Sequence, residues 1–107
     1  MSYNRVILIG TVGKDPAIQY LDTGVSVVTL SVVTNENVTD RNGDRREISE
    51  WHNVVFWRAL AEYVDKHVRK GSLIFVEGKL RTRSRDDHAG QKRYVTEVVA
   101  ETVRLLN

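Results

Sequence analysis

Residues 50–57 read EWHNVVFW and hold both tryptophans of the 107-residue chain. An indole is costly to leave in water and bulky to bury, so two on one short segment need a purpose. On a strand over 47–57, alternation places Trp51, Asn53, Val55 and Trp57 on one face and His52, Val54 and Phe56 on the other. The two indoles then point the same way, about 20 Å apart at roughly 3.3 Å per residue. Such a pair can serve a core or form a platform for planar ligands. Three neighbours favour the platform. Asn53 stands between the indoles, and a buried amide needs partners. Val54 and Phe56 already supply the opposite face, and Arg58 follows directly. The chemistry on offer is stacking of nucleobases, worth about 1–3 kcal/mol per base and tolerant of sequence, because every base has a π-face.

The second constellation is Lys79–Arg93, KLRTRSRDDHAGQKR. Lys79, Arg81, Arg83 and Arg85 alternate, so on a strand they share a face, with Leu80 and Thr82 turned away. Four like charges in a row repel one another. An edge strand can carry them against aggregation, but a track for phosphates accounts for the alternation better. Guanidinium forks match phosphate oxygens, and each neutralised phosphate releases counterions. Arg41, Arg45 and Arg46 form another basic group within 35–46, read as solvated loop charges. The overall balance decides little: net charge is +2, although 11 of the 16 basic residues are arginine. The placement of the charges carries the inference, not their sum.

Other chemistries find no residues. There is no cysteine, hence no disulfide framework or thiolate metal site. His52, His67 and His88 lack the spacing of a metal-ligand set. No Gly-rich phosphate loop or Ser/His/Asp arrangement is present, and Asp86-Asp87 is an adjacent pair that diverges on a strand or loop. An enzyme and a bound cofactor are therefore not expected. The opening MSYNRVILIG has an apolar run too short for a signal peptide, and nothing approaches membrane-spanning length. A cytoplasmic protein of one domain over 1–107 is expected, with 41% hydrophobic and 28% charged residues.

The elements that must position these residues follow from periodicity. Val6–Ile9 is a β-branched run bending at Gly10 and Gly13. Leu21–Gly24 is a turn, Ser26–Thr34 a strand, and Asn35–Arg46 a polar stretch whose Asn42-Gly43 marks a hairpin turn. The tryptophan strand follows. Over 58–70 the period changes, with Leu60, Tyr63, Val64 and Val68 on one helical face and Gly71 as the stop. Leu73–Arg83 and Arg93–Leu105 are the last two strands. The order β-β-β-α-β-β suits a five-stranded Greek-key barrel, the OB-fold, with the helix between strands 3 and 4. Other α+β folds share that order.

These residues together resemble the bacterial single-stranded DNA-binding protein family along nearly the whole chain. The matching stretches are NRVILIGTVGKDP at 4–16, EWHNVVFW at 50–57, LAEYVDKHVRKGS at 60–72, VEGKLRTR at 76–83 and GQKRYVTEVV at 90–99. The resemblance implies an OB-fold that binds single strands without marked sequence preference, in DNA replication, repair or recombination. It implies homo-oligomers, usually tetramers built from two dimers. The family's stacking aromatics fall on Trp51 and Trp57, and its basic contacts on Arg5, Lys70, Arg81, Arg83 and Arg93. Two further stacking positions of the family fall on Val38 and Arg85. Weaker stacking is thus expected in both loops, with Arg85 offering a cation–π or phosphate contact. His52 matches a histidine of subunit contacts, and Phe75 a strand used between dimers. Family members usually continue into a flexible tail with an acidic, hydrophobic tip that recruits other proteins. The sequence stops at Asn107, so tail-mediated partners are not expected of it. Two alternatives stay open: a short primosome-type OB-fold dimer that binds single strands, and a module using the Trp51/Trp57 face against another protein.

Overall fold

The computed structural model describes residues 1–107. Its elements are β1 (Val6–Val12), β2 (Gln19–Tyr20), β3 (Ser26–Thr39), β4 (Arg45–Trp57), α1 (Ala59–His67), β5 (Leu73–Asp86) and β6 (Lys92–Leu105). Neighbouring strands run in the order β1-β5-β6-β4-β3-β2, and β1 also pairs with β3 through Thr11 and Val12. That last pairing closes five strands into the expected barrel. Gly10 lets β1 serve both neighbours. A Cβ there would lie 2.5 Å from the Val33 carbonyl oxygen, so a side chain would push the two strands apart.

Alternation turns Val28, Leu30, Val32, Val54, Phe56, Ile74 and Val76 inward, each no more than 2% exposed. Burying side chains of this size contributes about 1.5–3 kcal/mol apiece. Helix α1 packs Ala61, Val64 and the following Val68 onto the same core. Its buried face differs from the expected one. Tyr63 lies at the surface beside His67, with ring centroids 4.8 Å apart, while the small Ala61 takes the inward position. Arg58, between β4 and α1, has φ 58 and is pinned to Ser26. The Arg58 N–H donates to the Ser26 carbonyl at 2.9 Å, and Ser26 Oγ–H donates to the Arg58 carbonyl at 3.2 Å.

Two differences concern lengths and count. The two-residue β2 has no periodicity to reveal it, and with it counted the helix lies between the fourth and fifth strands, not the third and fourth. The polar stretch 35–46 is mostly ladder, with Asn35–Thr39 paired to Arg45–Ser49. Backbone hydrogen bonds need no apolar side chains, and the turn fixes the register. Asp40 Oδ1 accepts the N–H groups of Asn42 at 2.9 Å and Asp44 at 3.0 Å. β5 and β6 likewise extend to Asp86 and Lys92 as a second arm.

Candidate nucleic-acid interface

The register of β3 with β4 pairs Val27 with Trp57, Thr29 with Val55, Ser31 with Asn53 and Val33 with Trp51. These side chains share the outer face of the barrel, since their neighbours Val28, Leu30, Val54 and Phe56 fill its interior. Both indoles are therefore outside the core. Trp51 is 61% exposed and lies over Gly13, where a Cβ would come 2.6 Å from the ring. Only glycine leaves the indole that seat. Trp57 is half-buried at the other end of the row.

Beside Trp57 the surface sinks into a groove of about 340 Å³. Its walls come from Gln19 of β2, Val27 and Thr29 of β3, Val55 and Trp57 of β4, Arg81 and Arg83 of β5, and Glu97 of β6. The topology explains the convergence. β4 pairs in parallel with β6, matching Val55 to Val99, and β6 pairs with β5, matching Glu97 to Arg81. The arginine row thus lies one strand beyond the tryptophan strand, across β6. An aromatic face and two guanidiniums border one cleft, which suits a strand with stacked bases and a phosphate backbone.

The arginine row is not a bare line of charge. Arg81 Nη2 and Arg83 Nε both donate to Glu97 Oε1, at 3.3 and 3.0 Å. Glu97 is 3% exposed, whereas the two arginine side chains are about half exposed, at 50% and 48%. One carboxylate thereby relieves the expected repulsion and fixes the direction of both forks. Reasoning from the sequence missed this residue. The signal was present, because pairing β5 and β6 back from the turn at Ala89-Gly90 sets Arg81 opposite Glu97.

The remaining basic positions scatter. Lys70 comes to the Trp51 end, because its N–H donates to Asp15 Oδ1 at 2.8 Å and the Gly71 N–H to the Val12 carbonyl at 2.8 Å. Arg5 Nη1 pairs with Glu77 Oε2 at 3.0 Å, and hydrogen bonding to Tyr3 followed by the Glu77 charge raises its pKa. Arg93 Nε donates to Asp87 Oδ2 at 2.9 Å at the tip of the β5–β6 arm. The Asp87 carboxyl is held below its ordinary pKa by the Gln91 N–H first and Arg93 second. Arg85 faces Arg93 in the ladder and forms no ion pair. His52 and Phe75 lie away from the groove. His52 Nε2 is 2.9 Å from Thr34 Oγ1, and Phe75 pairs with Ile9 between β5 and β1. No group of three or more His, Cys, Asp or Glu residues could hold a metal ion. No helix is long and apolar enough to cross a membrane.

Comparison with known proteins adds to this geometry. The pattern of the Single-strand binding protein family matches residues 3–106. The single-stranded DNA-binding protein of Bacteroides thetaiotaomicron is 47% identical over 109 residues, spanning 100% of this chain and 68% of that protein. Single-stranded DNA-binding protein 1 of Xylella fastidiosa is 45% identical over 106 residues, spanning 98% of this chain and 78% of that protein. Among solved structures, the Plasmodium falciparum SSB complex with ssDNA superposes with a TM-score of 0.92 at 33% identity, covering 100% of this chain and 97% of that one. A deletion mutant of the Thermus aquaticus single-stranded DNA binding protein gives a TM-score of 0.86 at 32% identity, covering 98% of this chain and 51% of that one.

Proposed function

The chain belongs to the single-strand binding protein family, and on that premise we propose that it binds and protects single-stranded DNA as a passive platform in replication, repair or recombination. The barrel is an OB-fold, and its function is single-stranded DNA binding. Residues 1–107 act as one binding unit, in which bases stack on Trp51 and Trp57. Arg81 and Arg83 meet phosphates beside Trp57, Lys70 meets them beside Trp51, and Arg85 and Arg93 extend the path along the β5–β6 arm. Arg5 joins the path after leaving Glu77. The observation that carries this assignment is the groove, where Trp57 of β4 and the two arginines of β5 converge across β6. Charge and stacking together account for a strand bound without a code of base edges, and no group here performs a reaction.

The experiment is a fluorescence anisotropy titration with labelled oligo-dT and a duplex of equal length, at low and high salt. Oligo-dT is expected to bind far more tightly, with log K falling linearly in log salt. Duplex bound as well as oligo-dT would refute the assignment, because duplex bases are stacked inward and cannot reach the indoles.

A homo-oligomer, a tetramer of two dimers, completes the proposal. Ile7 and Ile9 are 58% and 56% exposed on the outer face of β1, and Phe75 lies opposite Ile9. Such an apolar strip is costly to leave in water and fits a subunit contact. Several barrels would then hold one strand, and local concentration would raise its affinity. His52 stands at the other proposed contact. His52→Tyr adds bulk there and is expected to lower the apparent mass on dilution in sedimentation or light scattering. An unaltered mass would remove His52 from the interface. A cytoplasmic location is part of the same proposal.

A further inference from the structure

The groove beside Trp57 has a floor that neither stacking nor phosphate contact uses. Glu97 is 3% exposed, yet it lines the open groove. Both arginines donate to Oε1, which leaves Oε2 without a donor from the chain. No enclosed side-chain oxygen or nitrogen lacks a partner, so Oε2 is open to the groove and not sealed beneath it. A carboxylate flanked by two guanidiniums is an acceptor only. It sits at the base of a cleft large enough for a nucleobase, with one indole on the wall.

We propose that this groove is a base-edge subsite, in which Glu97 Oε2 accepts a hydrogen bond from the exocyclic amine of a base held beside Trp57. The ligand class is the amino-bearing bases, with cytosine N4–H as the smallest example. Carboxylates are the usual partners of that group. Thymine and uracil carry a carbonyl oxygen in place of that amine, so acceptor would face acceptor there, and only their ring N3–H, one position along the edge, is left to donate. Arg81 and Arg83 matter to the subsite as well. By holding Oε1 they fix the orientation of the carboxylate, so that Oε2 points at the groove before the strand arrives. Stacking and phosphate contacts still dominate affinity, and the subsite adds a local bias at one nucleotide per barrel.

The inference rests on single-strand binding, and its test separates the two. Oligo-dC and oligo-dU of equal length differ at the base edge and not in ring size, so their affinity ratio isolates the edge. Both are titrated against the wild type and Glu97→Gln, with oligo-dT alongside. Gln can donate to a carbonyl, so the variant should move toward uracil. The wild-type ratio of dC to dU affinity is expected to exceed that of the variant by about fivefold, a conservative share of a charge-assisted hydrogen bond. Equal ratios in the two proteins would overturn the subsite while leaving strand binding intact. Failure of the wild type to bind any of the three would overturn the function and the subsite together. If Glu97→Gln does not fold, the wild type alone decides. Tighter binding of dC by about fivefold supports the subsite, and dC bound no more tightly than dU refutes it.

Discussion

Replacing Trp57 by alanine is expected to weaken oligo-dT binding by about 1–3 kcal/mol, roughly five- to 150-fold in Kd. The size follows from position. Trp57 lines the groove across from Arg81 and Arg83 and is half-buried, so its ring is already oriented when a base arrives. Little rotamer entropy remains to be lost on stacking. Trp51 is 61% exposed and rests only on one side, over Gly13, so its replacement should cost less. Trp57→Phe separates stacking from packing, since it keeps an aromatic face and should recover much of the loss. Wild-type affinity in Trp57→Ala, measured by anisotropy alongside a melting curve, would take the indole out of the strand's path.

The second large effect is on salt dependence. Removing Arg81 and Arg83 deletes the two proposed phosphate partners, and the slope of log K against log salt is expected to become shallower by about 1.4, at roughly 0.7 per phosphate on a single strand. The structure dictates how this must be done. Alanine at both positions strips Glu97 of its two donors and leaves a buried carboxylate unpaired. Breaking a fully enclosed pair costs about 3–5 kcal/mol. Here the arginines are half exposed and solvent screens them, so the loss is smaller but still confounds a binding measurement. The triple variant Arg81→Ala, Arg83→Ala, Glu97→Gln removes that burden. Its oligo-dT slope, measured between low and high salt, reports the phosphate contacts alone. A slope equal to that of Glu97→Gln would remove both arginines from the phosphate track.

Much of this surface was legible in the sequence because strands have a period of two. Alternation alone put Trp51 and Trp57 on one face, and Lys79, Arg81, Arg83 and Arg85 on one face, before any pairing was known. It could not say that the two rows border one groove. That depends on β6 lying between β4 and β5, a long-range pairing with no local signal. Glu97 was hidden for a related reason. A glutamate within the strand sequence TEVV reads as a solvated residue until the register brings two arginines opposite it. Lys70 was placed near Trp51 only by the turn that binds Asp15. The helix face was misjudged at Tyr63, since bulk and hydrophobicity favoured the tyrosine while the barrel end had room for Ala61. The hairpin arms were underestimated because their polar residues carry ladder hydrogen bonds without apolar alternation.

The central claim is that a single strand lies on the tryptophan face. Both tryptophans of the chain are on β4, so tryptophan emission, excited selectively over the four tyrosines, reports on that face. A fluorescence titration of the wild type with oligo-dT should quench the emission strongly, less at high salt, and duplex of equal length should leave it nearly unchanged. Binding of oligo-dT with the emission unaltered would contradict the claim and move the strand to another surface of the barrel.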